Sequence, residues 1–381
     1  MKQILSILLI SLILESCQRN KPEVPPTTMD TQPTYFFFSG EIGANDNSTL
    51  VSYDDNVIIC EYSSIIKVSK SGTKIWQKEF NAGKGSHASG IAETNNHDFY
   101  ICGSTSRNYS NSKIDILLIR MNSSGDTIWT KVYGGMETDY GYNIIATSDG
   151  NLLISGKTES FGAGSIGDIY LIKVNSNGEI IWSNSYPDQD QEIPFHLMET
   201  SNGEYLVTGT NEDNGNSREL YLLKVNQNGT QLWNKKIGPA TYKWGFSTIE
   251  LTNGDLLSCG KHPVNGYSQI LLIKTDPLGN VIWEREIGDS KISQQGNSIK
   301  QNLDGTFTIT GYTYDVKTNR NNIILLKVNQ DGNLVWLKSF GSPYSDYGCN
   351  LIKDLNDDNI LTGQYSDSIF MTIIDKDGNF K

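Results

Sequence analysis

The chain is poor in the residues that build active centres. Of 381 residues, four are histidine, five cysteine and ten proline. His87, His97, His196 and His262 are scattered, without a His-Glu-x-x-His motif or a close pair, so neither a zinc site nor a catalytic triad is supplied with ligands. No Gly-x-Ser-x-Gly elbow and no phosphate-cradling loop occurs, and the vicinal cysteines of quinoprotein dehydrogenases are missing. The expectation is no metal, no cofactor and no catalytic residue. Cysteines make no disulfide framework either: Cys60, Cys102 and Cys259 share the repeat position held elsewhere by Ser155, a slot for a small, buried, inert thiol. Positive charge is scarce, with 31 Lys+Arg against 43 Asp+Glu and a net charge of −12. No basic stripe is left to displace counterions from phosphates, which excludes nucleic acid as a partner. Long apolar runs are absent apart from Ile4 to Leu14, which is too short to cross a bilayer.

That run, preceded by Lys2 and closed by Leu14-Glu15-Ser16-Cys17, has the form of an export signal. Its close resembles a bacterial lipobox of the looser kind found in Bacteroidetes-like sequences. The resemblance implies a lipoprotein signal peptide over 1–17, lipidation at Cys17 and a membrane partner reached through acyl chains. Localisation follows as the cell envelope, an outer-membrane lipoprotein facing either the periplasm or the outside. Residues 18–33 carry four prolines among polar residues and read as an extended tether reaching about 50 Å.

The remainder, 34–381, is repetitive. Trp76, Trp129, Trp182, Trp233, Trp283 and Trp336 recur about every 52 residues in one context. Each unit holds four short runs of β-branched and aromatic residues punctuated by Asn-Gly and Asp-Gly turns, with no helical period. In the third unit these runs are 143–147, 151–155, 169–174 and 180–185. Four antiparallel strands at this spacing predict an all-β fold, a seven-bladed β-propeller. Complete units end near Phe80, Tyr133, Tyr186, Ile237, Ile287 and Phe340, and the last unit lacks a tryptophan strand. Tyr35 to Gly43 resembles Ile282 to Gly288, so the N-terminal segment is expected to supply the outermost strand of the last blade, with Phe38 on the Trp283 position.

Gly134-Gly135-Met136-Glu137-Thr138-Asp139-Tyr140-Gly141 and Gly156-Lys157-Thr158 resemble the bacterial β-propeller repeats of the SBBP type. The Gly-x-x-x-Trp element is similar to PQQ-type repeats, including those of the lipoprotein of the outer-membrane barrel assembly machinery. The resemblance covers about 35–381 and implies the fold. In it, Asp139 and Asp346 are expected to cap backbone amides.

Propeller topology places the minimal turns on one face and the variable connections, such as 156–168, 210–219 and 312–322, on the other. The loop-rich face is expected to bind, and to point away from the tether. Aromatics outside the repeat frame are its candidate ligand-binding residues: Trp244, Tyr242, Tyr267, Tyr314, Phe161 and Tyr344. The six in-frame tryptophans are expected to pack blades, and His262 to lie solvated on a loop. The reading is a non-enzymatic binding or scaffold module for glycans or envelope proteins. Its alternative is a polysaccharide-acting hydrolase or lyase with a site in the central funnel.

Overall fold

The computed structural model describes residues 36–39, 48–80, 85–106, 113–162, 167–213, 217–238, 242–289, 291–315, 317–366 and 368–381. The signal segment with Cys17 and the tether lie outside the described residues. Twenty-eight strands form seven four-stranded antiparallel sheets arranged as the blades of a ring. Blade 1 spans 49–79, blade 2 87–133, blade 3 139–186, blade 4 191–237, blade 5 244–287 and blade 6 293–340. Blade 7 has three strands over 347–374 and takes Phe36–Ser39 as its fourth. Among the described residues no helix is long and apolar enough to cross a membrane.

Each strand forms for the reason its pattern gives. The third strand of blade 3, Asp168–Val174, is buried on both faces and is built mainly of Ile, Leu, Val and Tyr, with Asp168 and Lys173 near its ends. The fourth, Ile180–Tyr186, is half exposed and mixes polar residues with Trp182. First strands are longer than expected. That of blade 3 starts at Asp139, because its ladder continues through a bulge between Gly141 and Asn143, at Tyr142. Two expected loops are largely strand: the pairing in blade 4 reaches Asp213↔Ser217 and that in blade 6 Asp315↔Arg320. Polar residues alternate there along projecting two-stranded ribbons, which a reading by composition takes for loop.

Seven apolar clusters hold the ring, one at each seam between neighbouring blades. Ile58, Ile65, Phe99 and Leu117 join blades 1 and 2, while Val57, Ile66, Ile360 and Met371 join blades 1 and 7. The in-frame tryptophans strengthen the same seams. Each lies on the glycine of the third-to-fourth-strand turn in the following blade, so that a Cβ at Gly125, Gly178, Gly229, Gly279, Gly332 or Gly378 would come within 3.0 Å of an indole carbon. Tyr133 and Tyr186 donate their hydroxyls to Gly178 O (2.8 Å) and Gly229 O (2.7 Å) across these seams. A repeated ion pair fixes the minimal-turn face: Lys67–Asp54, Arg120–Asp98, Lys173–Asp149, Lys224–Glu204, Lys274–Asp255 and Lys327–Asp304, all at 2.5–2.9 Å. Blade 7 has Ile373 at that register position.

In the fourth strand of blade 7 the register differs from the sequence alignment. Phe38 pairs with Ile369, the counterpart of Ile270, whose own partner is Ile287. Phe38 therefore stands on the Ile287 position and not on that of Trp283. The start of the strand comes instead from the other end of the chain, where Phe380 bridges Ile374 and packs edge-to-face on Phe340 with centroids 5.1 Å apart. Asp375 to Asn379, which looks like the opening of a calcium loop, makes the same Asp375 N–Asn379 O turn bond (2.9 Å) as the matching turns of other blades.

Among the described residues, Cys60, Cys102, Cys259 and Cys349 form no disulfide and are buried in the seams. Burial pushes the thiols of Cys60, Cys102 and Cys349 up, that of Cys349 to about 12.

Candidate functional site

In blades 3, 4, 5 and 7 a charged residue at the start of the first strand lies at the base of the connections on the loop-rich face. In blade 3 this is Asp139, fully buried, which accepts hydrogen bonds from Gly135 N (2.7 Å), Ser160 Oγ (2.7 Å) and Thr158 Oγ1. Asp346 does the same for Ser366 N (2.7 Å) and Ser342 N in blade 7. These aspartates cap backbone amides. Blade 4 has Glu192 there, fully buried, with Asn211 donating to Oε1 at 2.8 Å and Oε2 accepting no hydrogen bond among the described residues. Burial pushes its carboxyl up to about 8, reinforced by Asp188 and Asp168 and only partly opposed by Asn211 and Lys236.

Blade 5 has Lys243 at this position, and the substitution reorganises the mouth of the seam with blade 4. Lys243 forms an ion pair with Glu284 (2.7 Å) and donates its backbone N–H to Arg218 O (2.8 Å). His262, expected on a solvated loop, lies in the strand Leu256–Val264, half-buried, with Nδ1 2.7 Å from Glu286. Among the described residues, His262, Glu284 and Glu286 form a group whose ligand atoms all lie within 4.8 Å. The Lys243 ammonium already occupies the cationic place beside Glu284.

Trp244 follows. It was expected outside the repeat frame, but it stands on the position of Tyr140 and Tyr347, each preceding the glycine of a first strand. Lys243 in place of an aspartate disguises the motif. Trp244 pairs with Lys261, whose Nζ lies 4.5 Å from the indole centroid, and Arg218 reaches the same ring at 5.0 Å. Tyr242, 42% exposed, stacks beside it at 6.1 Å and an interplanar angle of 25°. Below, the bulge residues of blades 4 and 5, Phe195 and Phe246, meet edge-to-face at 5.1 Å. The result is an aromatic ledge flanked by two cations.

The other candidate aromatics do not join this ledge. Phe161, 40% exposed, lies against Tyr170 in blade 3. Tyr344, 59% exposed, sits under Arg320 near blade 7. Tyr314 donates its hydroxyl to Asn319 in blade 6, and Tyr267 pairs with Val264 at the Asn265-Gly266 turn of blade 5. All four are near the loop-rich ends of strands, but among the described residues no ring contact connects them to Trp244. Arg218, Lys261, Glu284 and Glu286 carried no signal in the sequence, because each looks like an ordinary exposed strand residue until the seam brings them together.

A ring of seven four-stranded blades with tryptophan-on-glycine seams defines a PQQ-type β-propeller. The chain belongs to the family described as outer membrane protein assembly factor BamB, which it matches over residues 115–380. No curated protein matches the sequence. Among solved structures, a family PL25 ulvan lyase bound to -[GlcA(1-4)Rha3S]- is similar with a TM-score of 0.59 and 12% identity, over 90% of this chain and 96% of that one. A chain of the mitotic checkpoint complex also gives 0.59 at 12% identity, over 92% and 94%. Virginiamycin B lyase from Staphylococcus aureus gives 0.55 at 11%, over 89% and 99%. At these identities the similarity is one of fold.

Proposed function

We propose that the protein is an exported, lipid-anchored propeller that binds glycans through its loop-rich face, with its site at the mouth of the seam between blades 4 and 5. The observation that carries this reading is the ledge of Tyr242 and Trp244, two stacked and partly exposed aromatic rings beside polar hydrogen-bonding groups, the surface on which a pyranose ring stacks. Lipid at Cys17 anchors the tether in this reading, and the long connections point away from the membrane. Binding of the full chain, held in detergent, to a panel of polysaccharides tests it. A ligand is expected whose affinity falls at least about tenfold in Trp244→Ala. Binding to no polysaccharide overturns the reading and leaves envelope proteins, the partner class suggested by the family description, as the class to pursue by cross-linking.

One observation favours a second reading, a polysaccharide-acting hydrolase or lyase. His262, Glu284 and Glu286 converge within 4.8 Å on the strands next to Trp244. Release of reducing or unsaturated ends from a bound polysaccharide, abolished in Glu286→Gln, is its expected mark.

A further inference from the structure

Among the described residues, three cations at the mouth of the blade 4–5 seam are paired with carboxylates and a fourth is not. Arg218 is held by Glu212, Lys243 by Glu284 and His262 by Glu286. Lys261 has no carboxylate in ion-pair range among the described residues. Its Nζ lies between the rings of Trp244 (4.5 Å) and Phe246 (5.9 Å) and makes no hydrogen bond there. The repeat supplies a control for this arrangement. Lys157 occupies the same register position in blade 3, over Tyr140 at 5.5 Å, and is neutralised by Glu159 at 3.5 Å. Two residues after Lys261, where blade 3 has Glu159, blade 5 has Pro263.

We infer that Lys261, with Arg218 on the same indole, forms an anion subsite that selects a saccharide carrying a carboxylate or sulfate, seated on the Tyr242–Trp244 ledge. A cation withdrawn from water between aromatic faces is under-compensated, and burial together with the nearby Arg218 charge holds the Lys261 ammonium below the usual lysine range. An arriving carboxylate or sulfate restores the missing partner as a charge-assisted hydrogen bond, while the apolar face of the sugar ring covers the indole. A neutral sugar stacks equally well but leaves the ammonium as it was. The chain as a whole carries a net charge of −12, so preference for an acidic ligand arises in this local arrangement and not in the long-range field.

This inference rests on the glycan-binding reading above, and the experiment separates the two. The full chain is titrated with polygalacturonate, alginate and chondroitin sulfate, with dextran and laminarin as neutral polymers and polyglutamate as a non-sugar polyanion. Lys261→Met, which keeps the packing on Trp244, is expected to weaken the acidic polysaccharides at least about tenfold, with Lys261→Arg within about threefold of the parent. Circular dichroism and thermal melting of each variant distinguish a lost contact from a lost fold. Neutral polymers bound through Trp244, with no acidic preference and no effect of Lys261→Met, overturn this inference and leave the glycan reading standing. Polyglutamate bound as tightly as polygalacturonate overturns it as a saccharide site. Binding to no polysaccharide overturns both.

Discussion

At the level of single residues, the same place in the repeat is used for opposite purposes in neighbouring blades. Asp139 and Asp346 are buried carboxylates that accept hydrogen bonds from backbone amides and serine hydroxyls, and burial still holds the Asp346 carboxyl above its ordinary range. Glu192 occupies that place with Asn211 as its donor and with Asp168 and Asp188 nearby. Its pKa in the folded protein, about 8, is above the ordinary value of 4.5, so the native state holds a proton that the unfolded chain releases in the window between them. Its contribution is complete below about pH 4.5 and is lost as pH rises through about 8. The stability of the parent minus that of Glu192→Gln is therefore expected to fall across this window by a few kcal/mol in urea titrations at several pH values. A difference that does not change with pH would place Glu192 in a wetter setting. Lys243, at this place in blade 5, repels no neighbour and instead recruits Glu284. One exchange of sign thus turns a structural cap into part of an ion-paired mouth between blades 4 and 5.

At the level of the element, the recurring unit is a fourth strand whose tryptophan lies on the next blade's turn. Gly178 shows two requirements at once: its φ is +69°, and a Cβ there would come within 2.8 Å of both the Trp129 ring and the Lys131 chain. Gly150, in the first-to-second-strand turn of the same blade, has a similar φ of +81° with nothing within 4 Å. Gly150→Ala is expected to cost about 1 kcal/mol, the left-handed backbone alone, while Gly178→Ala costs about 2–4 kcal/mol through added displacement of the indole. Equal losses in denaturant unfolding would show that the tryptophan is not held against the turn. This coupling explains why tryptophan and the Gly turn recur in the sequence together: the two halves of the contact belong to adjacent units.

At the level of the whole molecule, the ring is joined where its two ends meet in blade 7. The fourth strand there is assembled from Phe380 at one end of the chain and Phe36–Ser39 at the other. Oxidation of the double variant Phe38→Cys/Ile369→Cys is expected to give a cross-link that raises the melting temperature, whereas Phe38→Cys/Ile373→Cys gives none. The reverse result would restore the register that alignment with Ile282 to Gly288 suggests. Packing supports the closed form independently, since the apolar cluster between blades 7 and 1 is as complete as those at the other seams.

The sequence by itself determined the class of fold, the number of blades and the ends of nearly every fourth strand. Those depend on local patterns, alternation, turn dipeptides and an aromatic period, that repeat often enough to be read. The buried role of the shared cysteine slot and the capping role of Asp139 and Asp346 were legible for the same reason. Only the tertiary structure decided where Trp244 belongs, because Lys243 hides its motif, and only it separated Tyr242 and Trp244 from Phe161, Tyr314 and Tyr344. It alone brought Arg218 of blade 4 to Lys261 and Trp244 of blade 5, residues 43 and 26 positions apart by number but adjacent across a seam. Periodicity reports what every blade has in common, whereas the candidate site is made of departures from the repeat, and these acquire meaning only through the neighbours that closure of the ring gives them.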